Sequence, residues 1–240
     1  MVGDAQILSS SVVIHAEPRI PWQRDGAVRF TEGLKALGVP CEITSDRTRH
    51  DGFPILLGTT CWRDLEHGEY LLVDRCSFGD TNRQVSLVRD GHGRRGDHRV
   101  PLNPCASRWE RHGVPVQPWQ RGERTVLCGQ HQSWSPQWPV LADWYASVKA
   151  THFRRHPAGD NPTGLIETRD WDACGLAVTL NSSVGVAAVL AGVPTRVDDF
   201  AGMAWPGFEY GADREPWLHW LAWTQWTWDE IAEGKWAHLL

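Results

Sequence analysis

The chain has 240 residues, 41% hydrophobic and 22% charged, with a formal net charge of -5. That length holds one large domain or two of about 100–120 residues each, and the composition excludes global disorder. The acidic balance argues against a nonspecific nucleic-acid binder, and there is no run of roughly 18 apolar residues to mark a membrane span.

Met1 to Ser11 lack the basic start and apolar stretch of a signal peptide, so the expected location is the cytoplasm. Ser11 to His15 form a short apolar run and read as a strand. After a Pro-containing loop, Ala27, Phe30, Leu34 and Leu37 recur at helical spacing, and Gly38 ends that helix. Cys41–Thr44, Phe53–Leu57 and Tyr70–Val73 read as further strands. Residues 74–118 read as loop-rich, with a hinge at Pro115, Pro118 and Gly122. Six cysteines, including Cys61, stand singly with no CxxC pair, so a structural zinc site is not expected and buried thiols are.

A second strand–helix alternation follows. Thr125–Cys128 reads as a strand ending in Gly129-Gln130, and Pro139 to Val148 as a helix. Thr151–Arg154 reads as a strand leading into Arg155-His156-Pro157. Leu176–Leu180 is the clearest buried strand. It runs into Asn181-Ser182-Ser183 and a small-residue helix from Val184 to Leu190, closed by Gly192 and Pro194. Thr195–Val197 is a short strand, and Glu215 to Leu240 reads as one or two helices. The pattern predicts an α/β fold with parallel strands, split into residues 1–119 and 120–240.

The strand–Asn-Ser-Ser–helix unit carries the chemistry. A helix opening directly from a strand end is expected to offer free backbone N–H groups and its positive dipole end to a phosphate. An ordinary Ser-capped helix gives the same residues. Gly129-Gln130 and Arg155-His156 end two other strands of this half, and ligands of open α/β sheets sit at carboxyl strand ends.

The stretch Phe153-Arg154-Arg155-His156-Pro157, followed by Thr179 to Pro194, resembles the nucleotide-sugar-binding half of GT-B glycosyltransferases. The resemblance covers about residues 123–197 and extends to the N-terminal half by architecture. It implies two small Rossmann-like halves facing a cleft, a nucleotide-sugar donor (a UDP-sugar first), and no metal. Carried over by residue, it makes Gly129, Gln130, Arg155, His156, Asn181, Ser182, Ser183 and Gly185 donor-site candidates. One departure matters: where family members often carry a ribose-binding Glu, this chain has Ala187.

For the acceptor, Asp74 and Asp80 follow a strand of the N-terminal half, and His15 ends another. Each is a candidate base for the acceptor hydroxyl. The structural alternative has Asp74 paired with Arg75 or a nearby Arg, and Asp80 capping a turn. Within 75–124 there are ten Arg against five acids, whereas 198–233 hold eight acids and one Arg. Arg83, Arg89, Arg94, Arg95 and Arg99, with His92 among them, form a basic loop suited to a polyanion. This pattern resembles phage glycosyltransferases that modify hydroxymethylated pyrimidines in DNA, which implies a DNA partner and a host cytoplasm. A surface-polysaccharide acceptor needs no basic groove, and a catalytically inactive nucleotide- or glycan-binding protein is the remaining alternative.

There are 15 Trp against 3 Tyr and 6 Phe. Trp217, Trp220, Trp223 and Trp226 recur every three residues, which predicts a broad helical stripe packed over the sheet or crossing back to the first half.

Overall fold

The computed structural model describes residues 11–46, 51–58, 69–80, 82–91, 93–130, 138–157, 159–200 and 202–240. Cys61 and His92 lie outside these residues, as does the N-terminal stretch before Ser11. The chain forms two compact units, one of Met1–His112 with Trp217–Leu240 and one of Gly113–Pro216.

Unit 1 begins with β1 (Val12–His15), α1 (Pro21–Ala36), β2 (Cys41–Thr44), β3 (Phe53–Leu57) and β4 (Leu71–Arg75). These four strands are parallel in the order β2-β1-β3-β4. β1, β3 and the start of β4 are Val/Ile/Leu runs buried along nearly their whole length, as parallel strands covered on both faces must be. α1 turns Ala27, Phe30 and Leu34 into the same core. Leu37 does not join them: it is the C-cap and 40% exposed.

The stretch expected to be loop-rich holds two elements. β5 (Gln84–Arg89) runs antiparallel to β4 and is buried throughout. α2 (Ala106–His112) follows a 3-10 turn at Gly93–Arg95. β5 mixes Val85, Leu87 and Val88 with Gln84, Ser86 and Arg89, and glycines and charged residues surround it, so no long apolar run announces it.

Unit 2 contains β6 (Arg124–Cys128), α3 (Trp138–Ser147), β7 (His152–Arg154), β8 (Ile166–Glu167), β9 (Cys174–Thr179), α4 (Val184–Leu190), β10 (Thr195–Val197) and β11 (Gly207–Phe208). The sheet order is β11-β10-β9-β6-β7-β8, parallel except for β11. Chain order reverses between β6 and β9, the two central strands. The expectation of parallel strands therefore holds for the centre of both sheets, while antiparallel strands close an edge of each.

The tail forms α5 (Glu215–Trp223), β12 (Gln225–Thr227) and α6 (Trp228–Ala232). β12 pairs antiparallel with β5 and completes a six-stranded sheet, β12-β5-β4-β3-β1-β2. This corrects two expectations. The tail belongs to unit 1 rather than to a domain of residues 120–240. The Trp ladder is also not one helical stripe, because the helix ends at Trp223 and Trp226 sits on a strand. The reason is edge closure: β5 offers an unpaired edge, and β12 satisfies it. Trp226, Ile231, Trp236 and Leu239 join the core of Ile14, Phe30 and Ile55. Trp236 meets Phe30 edge-on at 4.9 Å. Gly33 permits that packing, since a Cβ there would overlap the Ile231 carbonyl oxygen.

Cys76, Cys128 and Cys174 are buried thiols, as expected, and burial pushes Cys128 up to about 12. Cys105 departs from this: it is exposed, and its hydrogen bond with the Ser107 hydroxyl lowers its pKa.

Candidate functional site

The carboxyl ends of β6 and β9 are neighbours at the point where chain order reverses in unit 2, the crevice position of open α/β sheets. Gly129-Gln130 leave β6 there, and Asn181-Ser182-Ser183 leave β9. Thr179, fully buried, ties the two loops together. Its hydroxyl accepts a hydrogen bond from Gln130 Nε2 at 3.3 Å and another from the Ser182 N–H at 3.2 Å. The Tyr145 hydroxyl accepts from the Gln130 N–H at 2.8 Å, and burial raises the pKa of that phenol. Asn181 donates to Asp199 at 3.1 Å. Thr179, Tyr145 and Asp199 were not foreseen as site residues, because their roles depend on which strands lie side by side.

The helix N-terminus is less open than expected. The Val184 N–H donates to Ser182 Oγ at 3.3 Å. The N–H groups of Gly185 and Val186 donate to the carbonyls of Ser182 and Ser183. Ser183 makes no side-chain cap bond. The groups left to meet a ligand are the two serine hydroxyls and the Ser183 N–H, while the Gln130 and Asn181 side-chain amides are engaged by Thr179 and Asp199.

Gly129 and Gly185 are packing glycines. A Cβ on Gly129 would lie 3.0 Å from the His156 nitrogen, and one on Gly185 2.9 Å from Thr179 Cγ2. They bring β6 close to the segment after β7, and α4 close to β9. Arg155 and His156 follow β7, the strand beside β6. Arg155 is 45% exposed and lies 3.9 Å from Glu167 on β8, on the side of β7 away from β9. Ala187 is exposed on α4.

In unit 1, Asp74 stands opposite Ser86 on β5, and its carboxylate accepts the Arg75 N–H at 2.7 Å. Asp80 accepts the Asn82 N–H at 2.9 Å and lies 3.6 Å from Arg83, so its contacts are those of a turn cap in the β4–β5 hairpin. His15 ends β1 at 2% exposure, which leaves it no surface for an acceptor hydroxyl.

The basic loop divides. Arg89 is 5% exposed on β5. It pairs with Glu69 at 2.7 Å and donates to the main-chain carbonyls of Leu239 and Leu240. Arg99 donates to the His238 carbonyl. Both anchor the tail, and burial denies Arg89 to a polyanion. Arg94 lies over the Trp220 ring at 5.5 Å, while Arg83 and Arg95 are exposed.

Thr179→Val is isosteric and leaves the Gln130 amide and the Ser182 N–H without their acceptor. It is expected to cost about 1–3 kcal/mol, read as a lower urea midpoint. An unchanged midpoint would remove Thr179 from this frame.

Among the described residues no group of three or more His, Cys, Asp or Glu side chains is arranged to hold a metal ion, and no helix is long and apolar enough to cross a membrane. No known family model matches the chain, and no curated protein matches it.

Proposed function

We propose that the chain is a glycosyltransferase moving a sugar from a nucleotide-sugar donor to a hydroxyl acceptor. The observation that carries this reading is the pairing of the β6 and β9 ends at the reversal of chain order, where the Gln130, Asn181, Ser182 and Ser183 groups meet. The donor diphosphate is assigned to the two serine hydroxyls and the Ser183 N–H. Arg155 adds charge once it turns from Glu167. The Asp199 carboxylate accepts a hydrogen bond from Asn181 of this loop, and it takes the ribose hydroxyls in place of the side chain that Ala187 lacks.

Transfer needs a base to remove the acceptor proton as the sugar arrives. Of the three candidates in unit 1, Asp74 is retained, because Asp80 holds a turn and His15 is buried. Removal of Arg89 from the basic set weakens the DNA-acceptor reading and leaves Arg83, Arg94 and Arg95 to support it.

A thermal-shift panel of UDP-, GDP-, ADP- and CMP-sugars, followed by a sugar-nucleotide hydrolysis assay, tests the reading. Arg155→Ala is expected to weaken donor binding by about 1.5–3 kcal/mol, the weight of a charge-assisted contact. Asp74→Asn should slow transfer and spare donor affinity. Binding without turnover toward any acceptor would favour the inactive binding protein, the reading that the exposed Ala187 supports.

A further inference from the structure

A cavity of about 510 Å³ lies in unit 1 against α2, the end of α5, β12 and α6, within the size range of small-molecule sites. Arg108 stacks between two of its aromatic walls, 5.0 Å from the Trp223 centroid and 4.4 Å from that of Trp226. Glu230 and two main-chain carbonyls hold the Arg108 guanidinium in place. Lys235 pairs with Glu233, and His112 contacts the Ala222 carbonyl. Two further lining groups are uncommitted: the exposed Arg111 guanidinium and Asp229 carboxylate have no hydrogen bond or ion pair with any described residue. The indole N–H groups of Trp223 and Trp226 also find no acceptor among the described residues, but both are buried out of a ligand's reach.

The charges lining the cavity cancel. Arg108, Arg111 and Lys235 face Asp229, Glu230 and Glu233, and burial lowers the His112 pKa, which favours the neutral imidazole. A balanced site gives no net attraction to a phosphate, a nucleic-acid backbone or an organic cation. It offers hydrogen-bond donors and acceptors together, beside the half-buried Trp223 ring. That combination suits a ligand whose every hydroxyl both donates and accepts and which also has an apolar face.

We propose that this cavity binds a neutral saccharide of one or two rings, with hydroxyls bridging Arg111 and Asp229 and a C–H face against Trp223. The proposal stands independently of the nucleotide-sugar reading of unit 2. If both hold, it identifies the acceptor class as a carbohydrate.

The test uses the full chain with six probes: glucose, galactose, N-acetylglucosamine, cellobiose, lactose and chitobiose. Binding is read by saturation-transfer NMR and calorimetry, with inorganic phosphate as a control. At least one probe should bind saturably. Arg111→Gln and Asp229→Asn should each weaken it roughly tenfold, the weight of one charged hydrogen bond, without moving the melting temperature. The proposal is overturned if no probe binds, if both variants bind as the wild type does, or if phosphate competes for the site. A parallel UDP-sugar titration of Ser183→Ala reports on unit 2, so failure of one site is distinguishable from failure of the other.

Discussion

Replacing Arg108 by methionine is expected to destabilise unit 1 by about 3–5 kcal/mol, the cost of breaking a buried ion pair from one side. Arg108 is 4% exposed. It donates to Glu230 Oε1 at 2.7 Å, to the Gln225 carbonyl at 2.7 Å and to the Ala222 carbonyl at 2.9 Å. One side chain of α2 therefore fastens the end of α5, the start of β12 and α6. Methionine fills similar space but strips Glu230 of its cationic partner, leaving it only its Thr227 contacts, and takes one donor from each carbonyl. The double variant with Glu230→Gln should lose less than the sum of the two single changes, because the stranded charge is gone. Urea denaturation measures all three, and strict additivity would deny the coupling.

The same pair gives stability a pH dependence. Burial opposes the charge on Glu230, but the Thr227 N–H and Arg108 outweigh it, so the Glu230 pKa is lowered. A carboxyl lowered on folding contributes stability that is present above its unfolded pKa of about 4.3 and is lost as pH falls through the folded value. The urea midpoint should therefore fall on acidification below about pH 4.3, and the Glu230→Gln variant should fall less. Equal acid sensitivity in both proteins would assign the effect to other carboxylates.

Ending the chain at Pro216 is expected to abolish the folding of unit 1. The deletion removes β12 and exposes the edge of β5. It also takes Trp226, Ile231, Trp236 and Leu239 out of the core. Trp236→Ala is the milder version. Trp236 is fully buried, and its indole N–H donates to the Ile231 carbonyl at 2.9 Å, so the cost is about 3–5 kcal/mol. Hydrogen exchange at β1 and β3 is the readout. If those strands stay as protected in the truncated chain as in the full one, the tail is not part of their core.

Much of the strand and helix order is legible in the sequence where a run is apolar and continuous. β1, β3, β9 and α4 announce themselves through Val, Ile, Leu and Ala, because a segment covered on both faces needs little polar surface. β5 and β12 do not. Their pairing joins residues more than a hundred positions apart, and Trp226 falls into a three-residue spacing that imitates a helix. The same distance hides Arg89 and Arg108: both look like solvated cations in an Arg-rich stretch, and only the returning tail turns them into buried anchors. In unit 2, strand ends are visible locally, so Gly129, Gln130 and Asn181–Ser183 could be named as candidates in advance. That Thr179 bridges them depends on β6 lying beside β9, which no local pattern encodes. Gly129 and Gly185 are donor-site candidates by sequence, whereas their neighbours show packing: Gly129 against the His156 main chain and Gly185 against the Thr179 side chain.

We propose that a nucleoside diphosphate binds where β6 and β9 end side by side. A crystal structure of the full chain with UDP bound tests it most directly. Phosphate oxygens are expected within hydrogen-bond reach of Ser182 Oγ, Ser183 Oγ and the Ser183 N–H, with Gln130 and Asp199 beside the nucleoside. Density for UDP at any other place, or none at saturating concentration, would contradict it.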